Sequence, residues 1–245
     1  MVIVMSNYKI HAIGGLIFAL PFAPGIFYLF FALLGASIPD MDHDNNINKV
    51  GTMLIWGVIL SVFLFFVDGL NISALLLVGL AIIFYISKHR GFTHTILGIS
   101  ILSYVFLLMI MGFIPVFMRL SLNLGISIPT VVYIFIIMAI IGYFIISRRY
   151  YILYLIVLLL YLYLFPIDYL SINWLSVFLM FFLGALSHII LDLFTPAGVS
   201  FLQPFIDNKF HSSIAWILII LWVLASVYTL CNYGSFFNNF TPIFT

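Results

Sequence analysis

The sequence has 245 residues, of which 66% are hydrophobic and 6% are charged, and its formal net charge is +1. A water-soluble domain carries about 25% charged residues, so this composition excludes a soluble globular protein, and the small net charge excludes a basic nucleic-acid-binding protein. The single cysteine excludes an intramolecular disulfide and a thiolate cluster that holds a metal. We therefore interpret residues 1–245 as one integral-membrane domain.

Eight long apolar stretches predict an all-α, polytopic helical membrane protein with about seven or eight membrane segments. A continuous apolar run in a bilayer forms a helix, because its backbone groups must be hydrogen-bonded within the segment, and about 17–25 residues are enough to cross the hydrocarbon layer. In chain order the stretches are approximately 10–38, 51–67, 72–87, 95–117, 128–147, 150–166, 174–191 and 214–230.

The first stretch is too long for one upright span and contains Pro21, Pro24 and Gly25. Because proline and glycine interrupt helices, we predict an N-terminal hairpin of two short helices that dips into the bilayer. Such a hairpin would return Asp40 to the membrane face where His11 begins, within ~10 Å of it. A single kinked and tilted span is the alternative.

The hairpin determines the predicted topology of the rest of the chain. The three polar segments that contain Asp40, His89 and His188 then fall on one membrane face, together with every lysine and arginine except Arg119. An excess of basic residues marks the cytoplasmic face. We therefore predict a multi-pass protein of the cell membrane with this face in the cytoplasm and the C-terminus outside.

Histidine and aspartate are concentrated in three short windows. The chain has six histidines and seven acidic residues, all aspartates, and eight of these thirteen lie in 40–44, 89–94 and 188–192. Ionisable groups are costly in a membrane protein unless they have partners or a function. His188 and Asp192 are four residues apart, so they share one helix face. Imidazole with carboxylate favours Zn²⁺, with Mn²⁺ or Fe²⁺ as alternatives, over Ca²⁺ or Mg²⁺.

The predicted centre holds one or two divalent ions. The candidate metal ligands are His11, Asp40, Asp42, His43, His89, His94, His188 and Asp192. One ion is assigned to Asp40, His188 and Asp192, with His89 or His94 completing the set. A second is assigned to His11 with Asp42 or His43. The simpler alternative is that these side chains only cap helices or meet lipid headgroups.

Three further polar residues receive predicted roles. Arg90 lies between two histidines, where a guanidinium can grip an anionic oxygen with two N–H groups. Asp44 is predicted to act as a general base or to orient an imidazole. Thr93 is interpreted as a helix N-cap. Whether His211 is a ligand stays open.

Blocks of sequence in family order carry a resemblance to a known family. Residues 34–43 read LGASIPDMDH, residues 89–95 read HRGFTHT, and residues 184–199 include GALSH and DLFTPAGV. With the early His11, the chain resembles the YdjM-like family of membrane-bound, predicted metal-dependent hydrolases. That family is distantly similar to zinc-dependent phospholipase C, whose His-x-x-x-Asp helix resembles His188–Asp192. The resemblance implies phosphoester hydrolysis; the chain has no glutamate to complete a third zinc site.

These observations lead to one functional prediction and two alternatives. We predict a metal-dependent hydrolase, a phosphoesterase, that acts at the cytoplasmic face on a phosphorylated or lipid substrate, with membrane lipid as its partner. A divalent-metal or small-solute transporter could use the same ligands, although transport sites lie near the bilayer midplane. The third class is a membrane scaffold with an inert structural metal.

Overall fold

The computed structural model describes residues 8–43 and 46–233. These residues form nine α-helices and no β-sheet, with one isolated bridge between Val199 and Phe210. The helices are α1 (Tyr8–Ala19), α2 (Ile26–Gly35), α3 (Ile47–Val67), α4 (Ile72–Ile86), α5 (Ile96–Asn123), α6 (Thr130–Ile145), α7 (Arg148–Leu164), α8 (Trp174–Asp192) and α9 (Ser212–Tyr233). The predicted all-α class is confirmed.

The helices correspond one by one to the predicted apolar stretches, except that the first stretch forms both α1 and α2. Within the described residues, four helices are long and apolar enough to cross a membrane: α3, α5, α8 and α9. By the same criterion α1, α4 and α6 are shorter apolar helices. The number of spans, seven or eight, stays a prediction.

The break between α1 and α2 falls at the proline-containing segment. A short 3₁₀ turn, Leu20–Phe22, follows α1, and α2 begins after Gly25. Near the end of α1 the Trp222 indole N–H donates to the Phe18 carbonyl at 2.9 Å. A side-chain donor thus satisfies a carbonyl at a helix end, where the intrahelical ladder stops. Whether this pair of helices dips into a bilayer also stays a prediction.

The chain divides into two compact units. The first lies within Met1–Asp40, Lys88–Ser103 and Leu175–Thr245, and the second is Met41–Ser87 with Tyr104–Trp174. The first unit contains α1, α2, the start of α5, α8 and α9. That residues 1–245 form one membrane domain stays a prediction.

The second unit is an apolar helix assembly. Helices α3 and α4 pack closely at Gly57, where an added Cβ would lie 2.9 Å from a methyl of Val78. Asp68 and Arg119 form an exposed ion pair with N–O distances of 2.6 and 3.2 Å. The histidine and aspartate residues that come together in groups lie in the first unit.

Candidate metal centre

Three helices of the first unit approach each other at glycines. A Cβ at Gly184 of α8 would lie 2.1 Å from the Ala32 carbonyl oxygen, and one at Gly35 of α2 would lie 2.2 Å from the Phe181 carbonyl oxygen. At Gly15 of α1 an added Cβ would lie 2.6 Å from the Ala36 Cβ. Small residues let helix backbones pack at this range. Helices α1, α2 and α8 are therefore held in direct backbone contact.

This packing brings two imidazoles together. His11 lies one turn before Gly15 on α1, and His188 lies one turn after Gly184 on α8. Both rings are buried and stack with a centroid separation of 3.8 Å and an interplanar angle of 16°. The close packing of α1 and α8 at these glycines therefore sets the spacing of the two rings.

The first group of donors, which we call the inner group, consists of His11, His188 and Asp192. One ligand atom of each lies within 4.8 Å of the others, and all three residues are buried. The Nε2 atom of His11 is 3.8 Å from Oδ1 of Asp192, and the Nε2 atom of His188 is 3.8 Å from Oδ2. Two imidazoles and one carboxylate form a donor set typical of a catalytic zinc site.

The tautomer of His188 follows from its contact with the backbone. Its Nδ1 atom lies 2.7 Å from the Ala36 carbonyl oxygen, and a carbonyl can only accept, so Nδ1 carries the hydrogen. In the neutral form of the ring Nε2 then presents a lone pair, and within residues 8–43 and 46–233 this atom has no hydrogen-bond partner. An Nδ1–H bonded to a carbonyl is the usual support of a metal-ligating histidine.

His11 supplies a second observation of the same kind. Its Nδ1 atom is also buried without a hydrogen-bond partner in the described part of the chain. Buried polar atoms are normally hydrogen-bonded, and an orphaned one requires an explanation. The orphaned Nε2 of His188, 3.8 Å from the buried carboxylate of Asp192, fits a divalent cation, and the orphaned Nδ1 belongs to the ring stacked on it.

The second group, which we call the outer group, consists of Asp40, His89 and His94. One ligand atom of each also lies within 4.8 Å of the others. His94 is fully buried, whereas the Asp40 side chain is 41% exposed and His89 is exposed. The Nδ1 atom of His94 lies 3.0 Å from the Thr93 hydroxyl. The outer group therefore runs from the protein interior to the surface.

Each carboxylate also contacts a histidine of the other group. Oδ1 of Asp40 is 3.4 Å from Nε2 of His188, and Oδ2 of Asp192 is 3.5 Å from Nε2 of His94. Burial by itself raises the pKa of Asp40, but attraction to His188, with smaller contributions from His11 and His94, holds that pKa well below its usual value. Asp40 is therefore ionised at neutral pH, the state in which a carboxylate can bind a metal ion.

Arg90 connects the turn before α5 to the end of α8. One guanidinium nitrogen donates to the Thr195 hydroxyl at 2.9 Å and to the Gly198 carbonyl at 3.3 Å. The other lies 3.7 Å from Oδ2 of Asp192. Its backbone has a φ of 61°, a left-handed conformation that costs a non-glycine residue of order 1–3 kcal/mol. These contacts hold the guanidinium beside the inner group and offset the cost.

Six of the eight predicted ligands are brought together in the first unit, but their grouping differs from the predicted one. His11 joins His188 and Asp192, while Asp40 joins His89 and His94. Asp42 and His43 lie in the second unit and belong to neither group, so their role as ligands stays a prediction. Asp44 lies outside the described residues.

The structure corrects one capping assignment and adds two supporting groups. The N-cap of α5 is Thr95, whose hydroxyl accepts from the Gly98 N–H at 2.8 Å; a 3₁₀ turn at Phe92–His94 delays the helix and leaves Thr93 against His94. Thr195 was not predicted to support Arg90, although the adjacent proline marks a turn there. The contact of His188 with the Ala36 carbonyl could not be predicted from the sequence, because every residue has a backbone carbonyl.

The fold and this site define the chain as an all-helical membrane protein with buried histidine and aspartate groups that could hold a metal ion. The family model described as YdjM inner membrane protein matches residues 5–243. The chain belongs to that family, and the resemblance in the sequence blocks is confirmed. Comparisons with the curated proteins and with the solved structures found no match.

Proposed function

We propose that this protein is a membrane-bound, metal-dependent hydrolase of phosphoesters. The observation that carries the proposal is the buried His188 ring, whose Nδ1 faces the Ala36 carbonyl and whose Nε2 faces two carboxylates. Zn²⁺ suits this donor set best, with Mn²⁺ or Fe²⁺ as alternatives. His11, His188 and Asp192 would hold the ion.

The side chains divide the chemical work. When bound, a divalent cation polarises a phosphoryl oxygen and makes water a stronger nucleophile at neutral pH. Arg90, whose side chain is 23% exposed, binds and orients a phosphoryl oxygen, and its positive charge stabilises the charge that builds up there in the transition state. Asp44 remains the proposed general base or orienting residue.

The charge of the site supports an anionic substrate. Asp40 and Asp192 carry two negative charges, which one divalent ion balances, and Arg90 adds a positive charge at 3.7 Å from Asp192. The site then has one excess positive charge. A substrate with an anionic oxygen offsets that charge in a site of low dielectric. A phosphodiester or phosphomonoester at the membrane surface, a phospholipid among them, has that charge.

The activity of the purified protein toward a panel of chromogenic and lipid phosphoesters tests the proposal. We expect hydrolysis that a chelator removes and that added Zn²⁺ restores. Full activity after complete chelation would contradict the proposal. Uptake of Zn²⁺ into protein-loaded vesicles without any hydrolysis would instead favour a transporter that uses the same ligands.

Replacement of Arg90 by lysine is expected to lower turnover about 100-fold and to leave the bound metal in place. Lysine keeps the charge, but it has one nitrogen, whereas arginine binds Thr195 and Gly198 with one terminal nitrogen and keeps the other for a phosphoryl oxygen. Turnover and metal content should be measured on the same preparation. Arg149→Lys, at an exposed position in the second unit, is the matched control and should retain wild-type turnover.

The proposal also includes a membrane topology. In this topology an N-terminal hairpin and seven or eight segments would bring the site to the cytoplasmic face of the cell membrane, since an excess of lysine and arginine marks that face. The direct contact between α1 and α2 at Gly15 and Ala36 supports two helices that return on each other. Lipid or a phosphorylated substrate then reaches the site from the cytoplasmic headgroup layer.

A tag placed after Thr245 is expected to be cleaved by protease added to intact cells, or to spheroplasts where an outer membrane is present. In the proposed topology the C-terminus follows an odd number of membrane crossings from the cytoplasmic site, so it would lie outside. A tag inserted between Ser147 and Arg148, in the turn between α6 and α7, should be protected until the membrane is permeabilised. Protection of the C-terminal tag in intact cells would invert the topology or change the number of spans.

A further inference from the structure

The centre contains more donors than one ion can use. Zn²⁺ in proteins is normally four-coordinate, and a catalytic ion keeps one position open. The inner and outer groups together present four imidazoles and two carboxylates in two sets. Within each set, one ligand atom of every residue lies within 4.8 Å of the others. Ligands bound at about 2.1 Å to a tetrahedral ion lie about 3.4 Å apart. The ligand atoms of each set, which lie within 4.8 Å of one another, must therefore approach by at most about 1.4 Å to close on an ion of their own.

The two sets differ in their access to water. All members of the inner group are buried. In the outer group His89 is exposed and the Asp40 side chain is 41% exposed. An ion in the outer group is only partly enclosed by protein, so it loses fewer water ligands and exchanges more readily.

The two carboxylates connect the sets. Asp40 belongs to the outer group and lies 3.4 Å from His188 of the inner group, while Asp192 belongs to the inner group and lies 3.5 Å from His94 of the outer group. In two-metal hydrolytic sites the ions are about 3.5–4 Å apart, and carboxylates between them offset their repulsion. The crossed contacts of Asp40 and Asp192 suit such a pair.

We infer that Asp40, His89 and His94 form a second, solvent-accessible cation site beside the inner ion, and that the two ions together bind an anionic oxygen group of the substrate. This inference rests on metal binding in the proposed function. Two divalent ions and Arg90 carry five positive charges, and Asp40 and Asp192 supply two negative ones. Three positive charges remain, and a phosphoryl group with two anionic oxygens balances two of them. The charge of the site therefore favours a phosphomonoester over a neutral ester or an amide.

Titration of the full-length, metal-free protein in lipid nanodiscs with Zn²⁺ tests the second site. We expect two bound ions per chain, the second at least 10-fold weaker than the first. His89→Ala should bind one ion with the affinity of the first step unchanged. His211→Ala, at an exposed histidine of the same unit outside both groups, should still bind two ions. Binding of a single ion by the wild type, or of two by His89→Ala, would overturn the inference.

The distance between the ions requires a separate measurement. With Mn²⁺ in place of Zn²⁺, electron paramagnetic resonance should show a spin-coupled pair in the wild type and an uncoupled ion in His89→Ala. Two uncoupled ions in the wild type would place the second ion elsewhere and reject the site. Because His89 lies at an exposed turn, circular dichroism of His89→Ala should match the wild type; His89→Gln provides a second variant if it does not.

The outcomes for the second site and for the proposed hydrolase are distinguishable. Two coupled ions in a protein that hydrolyses none of the phosphoester panel would retain the second site and reject the hydrolase. One ion in an active protein would reject the second site and retain the hydrolase. If the protein both binds two ions and hydrolyses phosphoesters, inorganic phosphate should compete with the substrate. The affinity for inorganic phosphate should then fall at least 10-fold in His89→Ala.

Discussion

Replacement of His188 by alanine is expected to lower the affinity for Zn²⁺ by more than about 100-fold, since even supporting residues of metal ligands contribute 10- to 100-fold, and to abolish metal-dependent phosphoesterase activity. The imidazole is fully buried, is oriented by the Ala36 carbonyl, and lies within 4 Å of both carboxylates. No other side chain in the inner group can take its position.

The measurement is isothermal titration of purified protein with Zn²⁺, followed by activity on the same samples. Loss of the ring leaves a cavity, so the thermal unfolding of the metal-free variant should be compared with that of metal-free wild type. His211→Ala serves as the matched control, because His211 is exposed and lies in neither group. Wild-type Zn²⁺ affinity in His188→Ala would remove this residue from the centre, and full activity would reject the mechanism.

Replacement of Gly184 by alanine is expected to lower the free energy of unfolding by about 2 kcal/mol or more, because overpacking at a rigid contact costs this much. The new methyl would lie 2.1 Å from the Ala32 carbonyl oxygen and 2.8 Å from the Ala36 backbone nitrogen. Backbone atoms cannot rotate away as a flexible side chain can, so α2 and α8 must separate. The separation would also weaken the contact between the Ala36 carbonyl and His188.

The same chemical change elsewhere provides the control for that prediction. Gly79 of α4 is also helical, but an added Cβ there meets no atom within 4 Å. Gly79→Ala should leave stability unchanged or raise it by up to about 1 kcal/mol, because alanine favours the helix. Thermal unfolding of both variants in the same detergent, together with Zn²⁺ affinity, separates a packing effect from helix propensity. Equal stabilities for Gly184→Ala and wild type would contradict the close contact.

The class of protein follows from the sequence alone. The apolar composition requires lipid as the main solvent, and lipid requires helices, so the all-α class did not depend on tertiary contacts. The helix break at Pro21 and Pro24 was readable because proline interrupts a helix locally. The family was recognisable from short blocks around Asp40, His89 and His188. Each of these features is carried by residues that are near one another in the chain.

The N-cap of α5, Thr95, shows where residue type alone was insufficient to predict the start of a helix. Thr93 and Thr95 are both competent N-caps by residue type. The choice depends on the 3₁₀ turn that places the Thr93 hydroxyl 3.0 Å from Nδ1 of the buried His94. A contact within the outer group thus accompanies the choice of the threonine that caps the helix, and residue type did not contain that information.

The sequence by itself predicted eight ligands that include the six residues the structure brings together, because histidine and aspartate are costly in an apolar chain and five of those six lie in the three short windows. Only the tertiary structure decided how they are grouped. The Ala36 carbonyl and His188 are 152 positions apart, and they meet because Gly15, Gly35 and Gly184 let three helix backbones touch. The position of a ligand depends on the crossing and separation of helices, which are set by packing between segments far apart in the chain.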